Sequence, residues 1–232
     1  MKELNFCPTP DLARIVADIT GDGHLQLHKN KGVVSFYSKD LSSIKAVNKR
    51  FGKLFGVEGK IKKYTSGGYL RYGIFYPSKK LCEFLFSVGI ASGNKTEKKF
   101  LVPVWIFRGK KEIKREYLRG LFTSEGSPYA TKTKYGKRWR IEIEQYKILK
   151  LREGGKQFME QIKKMLEKDF NVKCSPARFG KKQQRKDSSF TIAIKMDIEK
   201  SSFKNFYDEI GFDNKLKNTK LLNVIAGIGR GL

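Results

Sequence analysis

Residues 15–23 read IVADITGDG, and residues 118–126 read LRGLFTSEG. Each is an apolar approach of helical length that ends in an acid followed by glycine: Asp22-Gly23 and Glu125-Gly126. A small residue precedes each acid, and a second lies four positions earlier: Gly21 and Ala17, Ser124 and Gly120. That i, i+4 spacing puts both on one helical face. Small side chains there let two helix backbones approach closely. One copy reads equally well as a buried helix with a glycine cap. Two copies with the acid in the same place argue for a duplicated element.

The flanking sequence repeats with it. The spacing predicts a helix over 10–22, with Thr9 or Asp11 as cap and Pro10 in the first turn. A period of two follows in HLQLHK, which turns Leu25 and Leu27 one way and His24, Gln26 and His28 the other. VVSFYSK reads as a second strand with Val34 and Phe36 inward, and residues 41–56 as an amphipathic helix. GKIKKYT and YLRYGIFYP bracket Ser66-Gly67-Gly68, a hairpin signal, and a helix closes the half. Residues 91–110, with Pro103 and Trp105, read as an ordered linker. The order α-β-β-α-β-β-α then starts again, with a helix at 111–124 and strands near 128–134 and 138–146. A helix at about 155–169, strands near 172–179 and 189–196, and a helix at 200–210 complete it. The offset between copies grows from 103 at the acids to 115 at Phe55 and Phe170, and to 122 at Gly89 and Gly211. Drift of this kind implies insertions in the hairpins of the second copy. The expected fold is α+β, with repeats over 1–108 and 109–232 and two antiparallel sheets.

Charge bounds the function. Lys and Arg number 49 against 23 acids, a formal net charge of +26 on 232 residues. A folded protein this basic repels itself without a polyanion, and nucleic acid is the first choice. Heat adaptation raises Glu along with Lys, and here the acids lag. No apolar run reaches the roughly 20 residues of a membrane span. The start lacks a signal-peptide core, so an intracellular setting is expected (cytoplasmic, nucleoid or organellar), not a secreted one. Cys7, Cys82 and Cys174 contain no CxxC pair and argue against a disulfide framework and a zinc site.

The strand faces suit a nucleic acid. In RWRIEIE, Trp139, Ile141 and Ile143 point inward, and Arg138, Arg140, Glu142 and Glu144 outward. In FTIAIKM, Thr191, Ala193 and Lys195 are outward, with Tyr69 and Arg71 as first-half counterparts. Such side chains read major-groove edges and touch phosphates. Gln26, His28, Ser35 and Tyr37 complete the candidate DNA-binding set. His24 and His28 have the spacing of zinc ligands on a helix but fall on a strand, which favours phosphate contact over a metal.

If the two motif helices lie side by side, Asp22 and Glu125 come together at the negative ends of two helix dipoles. Such acids raise one another's pKa unless a cation is present. A divalent metal resolves the conflict: Mg²⁺ takes one or two carboxylates plus phosphate and water. It thereby suits phosphodiester cleavage.

The two motifs and the repeat around each resemble the LAGLIDADG homing endonucleases of the monomeric, two-motif type, over about residues 8–225. The resemblance implies helices paired through Ala17, Gly21, Gly120 and Ser124, and saddle-shaped sheets that lie in the major groove of double-stranded DNA. It implies an intron-encoded monomer that breaks both strands of a long, partly asymmetric site and leaves short 3′ overhangs. Mg²⁺ is the expected cofactor, with Mn²⁺ as substitute and Ca²⁺ binding without cleavage. Asp22 and Glu125, with Gly21 and Ser124, form the implied metal set. Lys39, Gln145 and Lys195 match the strand-end location of the family's basic or amide residues near the scissile phosphates. Thr20 and Thr123 replace the signature's first aspartate, and Asp18 stands where it has leucine. Asp18 is expected at the helix's outer edge or paired with a lysine. The absence of splicing blocks speaks against an intein, though an excised endonuclease domain would look the same. The rival functions are an RNA maturase with intron RNA as partner, a DNA-binding regulator, and a basic RNA-binding protein with no nuclease activity.

Overall fold

The structure, a computed structural model, describes residues 4–134 and 136–229. It divides into two units: one runs to Lys95 and resumes over Pro103–Tyr117, and the other takes Thr96–Val102 and the chain from Leu118 on.

The first unit opens with α1 (Pro10–Thr20), where the Leu12 amide donates to Thr9 Oγ1 at 3.2 Å. Every side chain from Leu12 to Ile19 is buried, Arg14 and Asp18 included. There follow β1 (Gly23–Leu27), β2 (Gly32–Ser38), α2 (Leu41–Phe55), β3 (Lys60–Ser66), β4 (Tyr69–Pro77) and α3 (Lys79–Ser87). The strands form one antiparallel sheet in the order β1-β2-β4-β3. α2 lies on β2 and β4 and buries Ile44, Val47, Phe51 and Phe55, with Phe51 stacked on Tyr76 at 4.2 Å. The linker is ordered: it holds α4 (Val104–Phe107), and Trp105 Nε1 donates to the Val88 carbonyl at 2.9 Å. α5 (Lys111–Glu125) belongs to the first unit as far as Tyr117 and to the second from Leu118.

The second unit continues with β5 (Gly126–Thr133), β6 (Gly136–Ile148), α6 (Arg152–Phe170), β7 (Arg178–Gln184), β8 (Phe190–Asp197), α7 (Phe203–Glu209) and α8 (Lys215–Gly229). Its sheet has the same topology, β5-β6-β8-β7, and α6 lies on β6 and β8. The duplication extends to backbone detail. Gly56 and Asn171 end α2 and α6 in the left-handed region, at φ 63° and 53°. Gly89 and Gly211 share positive φ, at 105° and 60°.

Three expectations need correction. The first drift in offset lies in the elements themselves and not in a loop: β5, β6 and α6 have 8, 13 and 19 residues against 5, 7 and 15 in β1, β2 and α2. The strand expected near 172–179 starts only at Arg178. Pro176 cannot donate to a ladder, and the preceding residues are held otherwise, the Ser175 amide by the Asp197 carbonyl at 2.9 Å. α8 has no counterpart among the expected helices. Its apolar residues do not line one face: Leu221 and Val224 are buried, while Leu216 and Leu222 are exposed. No helix among the described residues is long and apolar enough to cross a membrane.

Candidate functional site

The two acids occupy equivalent places. α1 ends at Thr20, exposed Asp22 follows, and Gly23 opens β1. Glu125 ends α5, and Gly126 opens β5. Only glycine lets a strand leave the helix so abruptly. A Cβ on Gly23 would lie 2.7 Å from Ile19 Cα, and one on Gly126 would lie 2.5 Å from the Phe122 carbonyl oxygen. Thr20 and Thr123 match as well: each hydroxyl donates at 2.7 Å to the carbonyl four residues back, of Val16 and Arg119. Ala17, Gly21 and Gly120 are buried and Ser124 half-buried.

A lysine is seated at each helix end. Lys95 Nζ donates to the carbonyls of Ile19 at 3.1 Å and Thr20 at 2.8 Å, and to that of Gly21. Lys217 Nζ, from α8, donates to the carbonyls of Thr123 at 2.7 Å, Ser124 at 3.4 Å and Gly126 at 2.7 Å. Each ammonium satisfies terminal carbonyls that the helix leaves without partners and offsets its negative end. The carbonyls of Gly21 and Ser124, expected beside the metal, therefore already accept from a cation. The electrostatic conflict assigned to a metal is met in part by these lysines. Both escaped the sequence reading, yet each lies six residues after a left-handed glycine, Gly89 and Gly211.

Asp18 is not at the helix edge, and its partners are arginines. Its Oδ1 accepts from Arg14 Nε at 2.9 Å, and its Oδ2 from Arg50 Nε at 3.0 Å and Nη2 at 2.9 Å. Arg14 Nη1 also lies 3.9 Å from Glu116, on the part of α5 that belongs to this unit. The buried carboxylate thus ties α1 to α2. A leucine there would leave Arg14, only 4% exposed, without this anion.

The outward faces differ in kind. The four strands of the first sheet contain no acid. Tyr37 meets Phe75 edge-on at 5.7 Å and Tyr64 at 6.1 Å, Lys62 stands 5.7 Å over the Phe75 ring, and Lys39 stands 4.7 Å over Tyr69. Gln26, His28 and Tyr69 are exposed, as expected, and Arg71 is partly so. His24 is half-buried, and burial together with Lys95 holds its pKa below the ordinary imidazole value.

The strands of the second sheet contain three acids, Glu142, Glu144 and Asp197, all ion-paired on that face. Arg140 grips Asp197 with two donors, Nε on Oδ1 at 3.0 Å and Nη2 on Oδ2. Arg178 bridges Asp197 at 2.6 Å and Glu142 at 2.8 Å, and Lys195 reaches Glu142 and Glu144 at 3.2 Å each. Arg138 at the sheet's end is exposed.

Four candidates are placed otherwise than expected, and one of them is Glu142, which is 7% exposed with its carboxylate held by Arg178 and Lys195. Gln145 lies on the helix side and donates to the Gly155 carbonyl of α6 at 3.2 Å, because strand alternation keeps it with Ile141 and Ile143. Ser35 is 3% exposed, and Thr191 is buried with its hydroxyl on the Gln183 carbonyl at 3.4 Å, so neither offers its side chain to the surface.

Comparison with known proteins agrees with this fold. Residues 112–211 match the LAGLIDADG-like domain. The chain is 29% identical over 231 residues to the tRNA-splicing ligase RtcB of Pyrococcus furiosus, covering 92% of this chain and 23% of that protein. It is 31% identical over 215 residues to the RNA polymerase subunit Rpo1N of Methanocaldococcus jannaschii, covering 87% of this chain and 16% of that protein. The chain thus spans less than a quarter of either relative. Among solved structures, I-DmoI in complex with DNA and Mn aligns with a TM-score of 0.57 at 16% identity, over 88% of this chain and 97% of that one. The homing endonuclease I-WcaI bound to its DNA recognition sequence gives 0.57 at 14% identity, over 94% and 88%. The N-terminal LAGLIDADG domain of DUF199/WhiA gives 0.50 at 16% identity, over 92% and 87%. The chain therefore carries a LAGLIDADG-like domain over residues 112–211 and, as a whole, has the two-repeat fold of the LAGLIDADG homing endonucleases.

Proposed function

We propose that the chain is a site-specific DNA endonuclease that makes a metal-dependent double-strand break with short 3′ overhangs in a long, partly asymmetric site. One observation carries the reading: an acid stands at the equivalent helix-to-strand junction of each repeat, Asp22 between α1 and β1 and Glu125 at the end of α5 before β5. A net charge of +26 and a first sheet without acids support a polyanionic substrate. The curated relatives add a second support. A ligase and a polymerase subunit share no activity, so a segment common to both and to this chain is a module with its own function.

Asp22 and Glu125 are the residues that would hold the metal. No group of three His, Cys, Asp or Glu side chains among the described residues forms a closed metal site. That donor set suits Mg²⁺, which needs one or two carboxylates and takes its remaining oxygens from phosphate and water. I-DmoI has been solved in complex with DNA and Mn and with DNA and Ca, and a glycine-to-serine variant of it in the presence of Mg. The ion, when bound, supplies an activated water and charge stabilisation at the phosphate. Lys95 and Lys217 keep positive charge at the helix ends where the cleaved strands would pass. Lys39 and the lysines of β3 hold the backbone of the first half-site. The repeats over 1–108 and 109–232 each serve one half of the site, and the chain acts as a monomer.

The second reading is a nucleic-acid-binding protein of the same fold that does not cut. The seated lysines favour it, since they offset both helix ends without a metal. Sites enriched from randomised duplex DNA in Ca²⁺, cloned into a plasmid and incubated with Mg²⁺, separate the two. Linearisation supports the endonuclease. Binding with no cutting in Mg²⁺ or Mn²⁺ leaves the binder.

A further inference from the structure

On a molecule of net charge +26, the three acids on the outward face of the second sheet are out of place unless they do something for the cations around them. Two of them, Glu142 and Asp197, lie beneath those cations. The Glu142 and Asp197 side chains are 9% and 16% exposed, against 26% for Arg140 and 38% for Arg178. A surface so arranged presents cations to a ligand, with their orientation set from below.

Arg140 is the sharpest case. An arginine has five N–H donors in a rigid plane. Asp197 takes the Nε and Nη2 edge, and Glu142 Oε2 lies 3.7 Å from Nη2 as a second anion beyond hydrogen-bond distance, which leaves both hydrogens of Nη1 and one of Nη2. Those remaining hydrogens form the end-on fork of the guanidinium. Asp197 is itself pinned by Arg178 at 2.6 Å, and its amide donates to Ser175 Oγ at 3.0 Å. Rotation of Arg140 would break two charge-assisted bonds, so the fork is ordered before any ligand arrives. A fixed guanidinium fork matches one base edge in the major groove, the O6 and N7 acceptors of guanine.

We propose that Arg140 reads a guanine in the half-site met by the second sheet, and that Asp197 is the positioning residue that aims it. This rests on the DNA-binding reading above and adds the base, the residue and its support. Cross-strand charge pairs also hold sheets together, so the test must read base preference and not binding alone.

Full-length protein is taken through selection on a randomised duplex library in Ca²⁺, in parallel with Arg140→Lys, Arg140→Gln and Asp197→Asn. The wild-type protein is expected to prefer guanine at one position by about tenfold or more. Both Arg140 variants are expected to lose that preference at that position and keep the rest of the motif. Asp197→Asn is expected to weaken it there, with total retention of the library within about twofold. Arg140→Lys keeps the charge and loses the fork, so its result stands even if Asp197→Asn fails to fold. A motif unchanged in Arg140→Gln overturns the assignment of the base. Preference lost evenly across the motif in Asp197→Asn overturns the positioning role. A wild-type protein that enriches no motif overturns the specific DNA reading beneath both.

Discussion

The two sheets share one lattice and carry different chemistry on it. Counted from the glycines after the two acids, Phe36 and Ile74 pair in the first sheet where Ile143 and Met196 pair in the second. Tyr37 then stands where Glu144 does, Phe75 where Asp197 does, Ser35 where Glu142 does, and Lys62 where Arg178 does. An aromatic cluster with lysines over its rings has been exchanged for a lattice of ion pairs. A duplicated fold thus keeps its strand register while the two faces are free to specialise. The first face offers cations with no carboxylate to satisfy, which suits strong, salt-sensitive contact with a backbone. The second spends its charge internally, which suits fixed donors aimed at particular bases.

The halves also differ in where they bury ions, and the largest effect should appear there. Asp18→Ala leaves Arg14 and Arg50 without their shared carboxylate, and a loss of about 3–5 kcal/mol is expected in denaturant unfolding. Asp197→Asn, in a network whose arginines reach solvent, should cost less than half of that. Equal losses would erase the contrast. Next, Lys60→Ala and Lys62→Ala should each lower the salt slope of DNA binding by about 1. Arg178→Gln combined with Asp197→Asn, which removes a pair of opposite charges, should leave the slope nearly unchanged. A smaller effect is expected for Tyr37→Ala, which removes two edge-on ring contacts and should cost about 0.5–1.5 kcal/mol by thermal melting.

The smallest effect at neutral pH concerns the thiols. Burial pushes Cys82 up to about 11 and Cys174 up to about 12. Both favour the neutral thiol in the folded state, so this contribution is present below pH 9 or so and is lost as pH rises through the folded values. At pH 8 a thiol reagent should label exposed Cys7 alone in native protein. Rapid labelling of Cys82 but not Cys174 would show that the first unit opens more readily.

What could be seen in the sequence depended on distance along the chain. Both motifs, the repeat, the ordered linker and most elements follow from local period and turn residues. The alternation that set Ile141 and Ile143 inward already put Gln145 inward with them, so its misplacement was avoidable. Lys95 and Lys217 were also within reach, because they are separated by the same 122 residues as Gly89 and Gly211. Asp18 was only half legible. Arg14 lies one helical turn before it, but Arg50 is 32 residues away on another helix. The ion lattice of the second sheet depends on the register of three strands, including one that begins six residues later than the pattern suggested, and no local rule supplies that. α8 was hidden by the scatter of its apolar residues.

Cleavage of one enriched site in Mg²⁺ by the wild-type protein, Asp22→Asn and Glu125→Gln tests whether the acids at the two helix ends do the chemistry. Each substitution is expected to lower the cutting rate by at least about 10²–10³-fold, the scale for losing a group that stabilises the transition state. Binding in Ca²⁺ should persist in both variants. Cutting at the wild-type rate in Asp22→Asn would contradict the assignment of the acids, and absence of cutting by the wild-type protein would contradict the endonuclease itself.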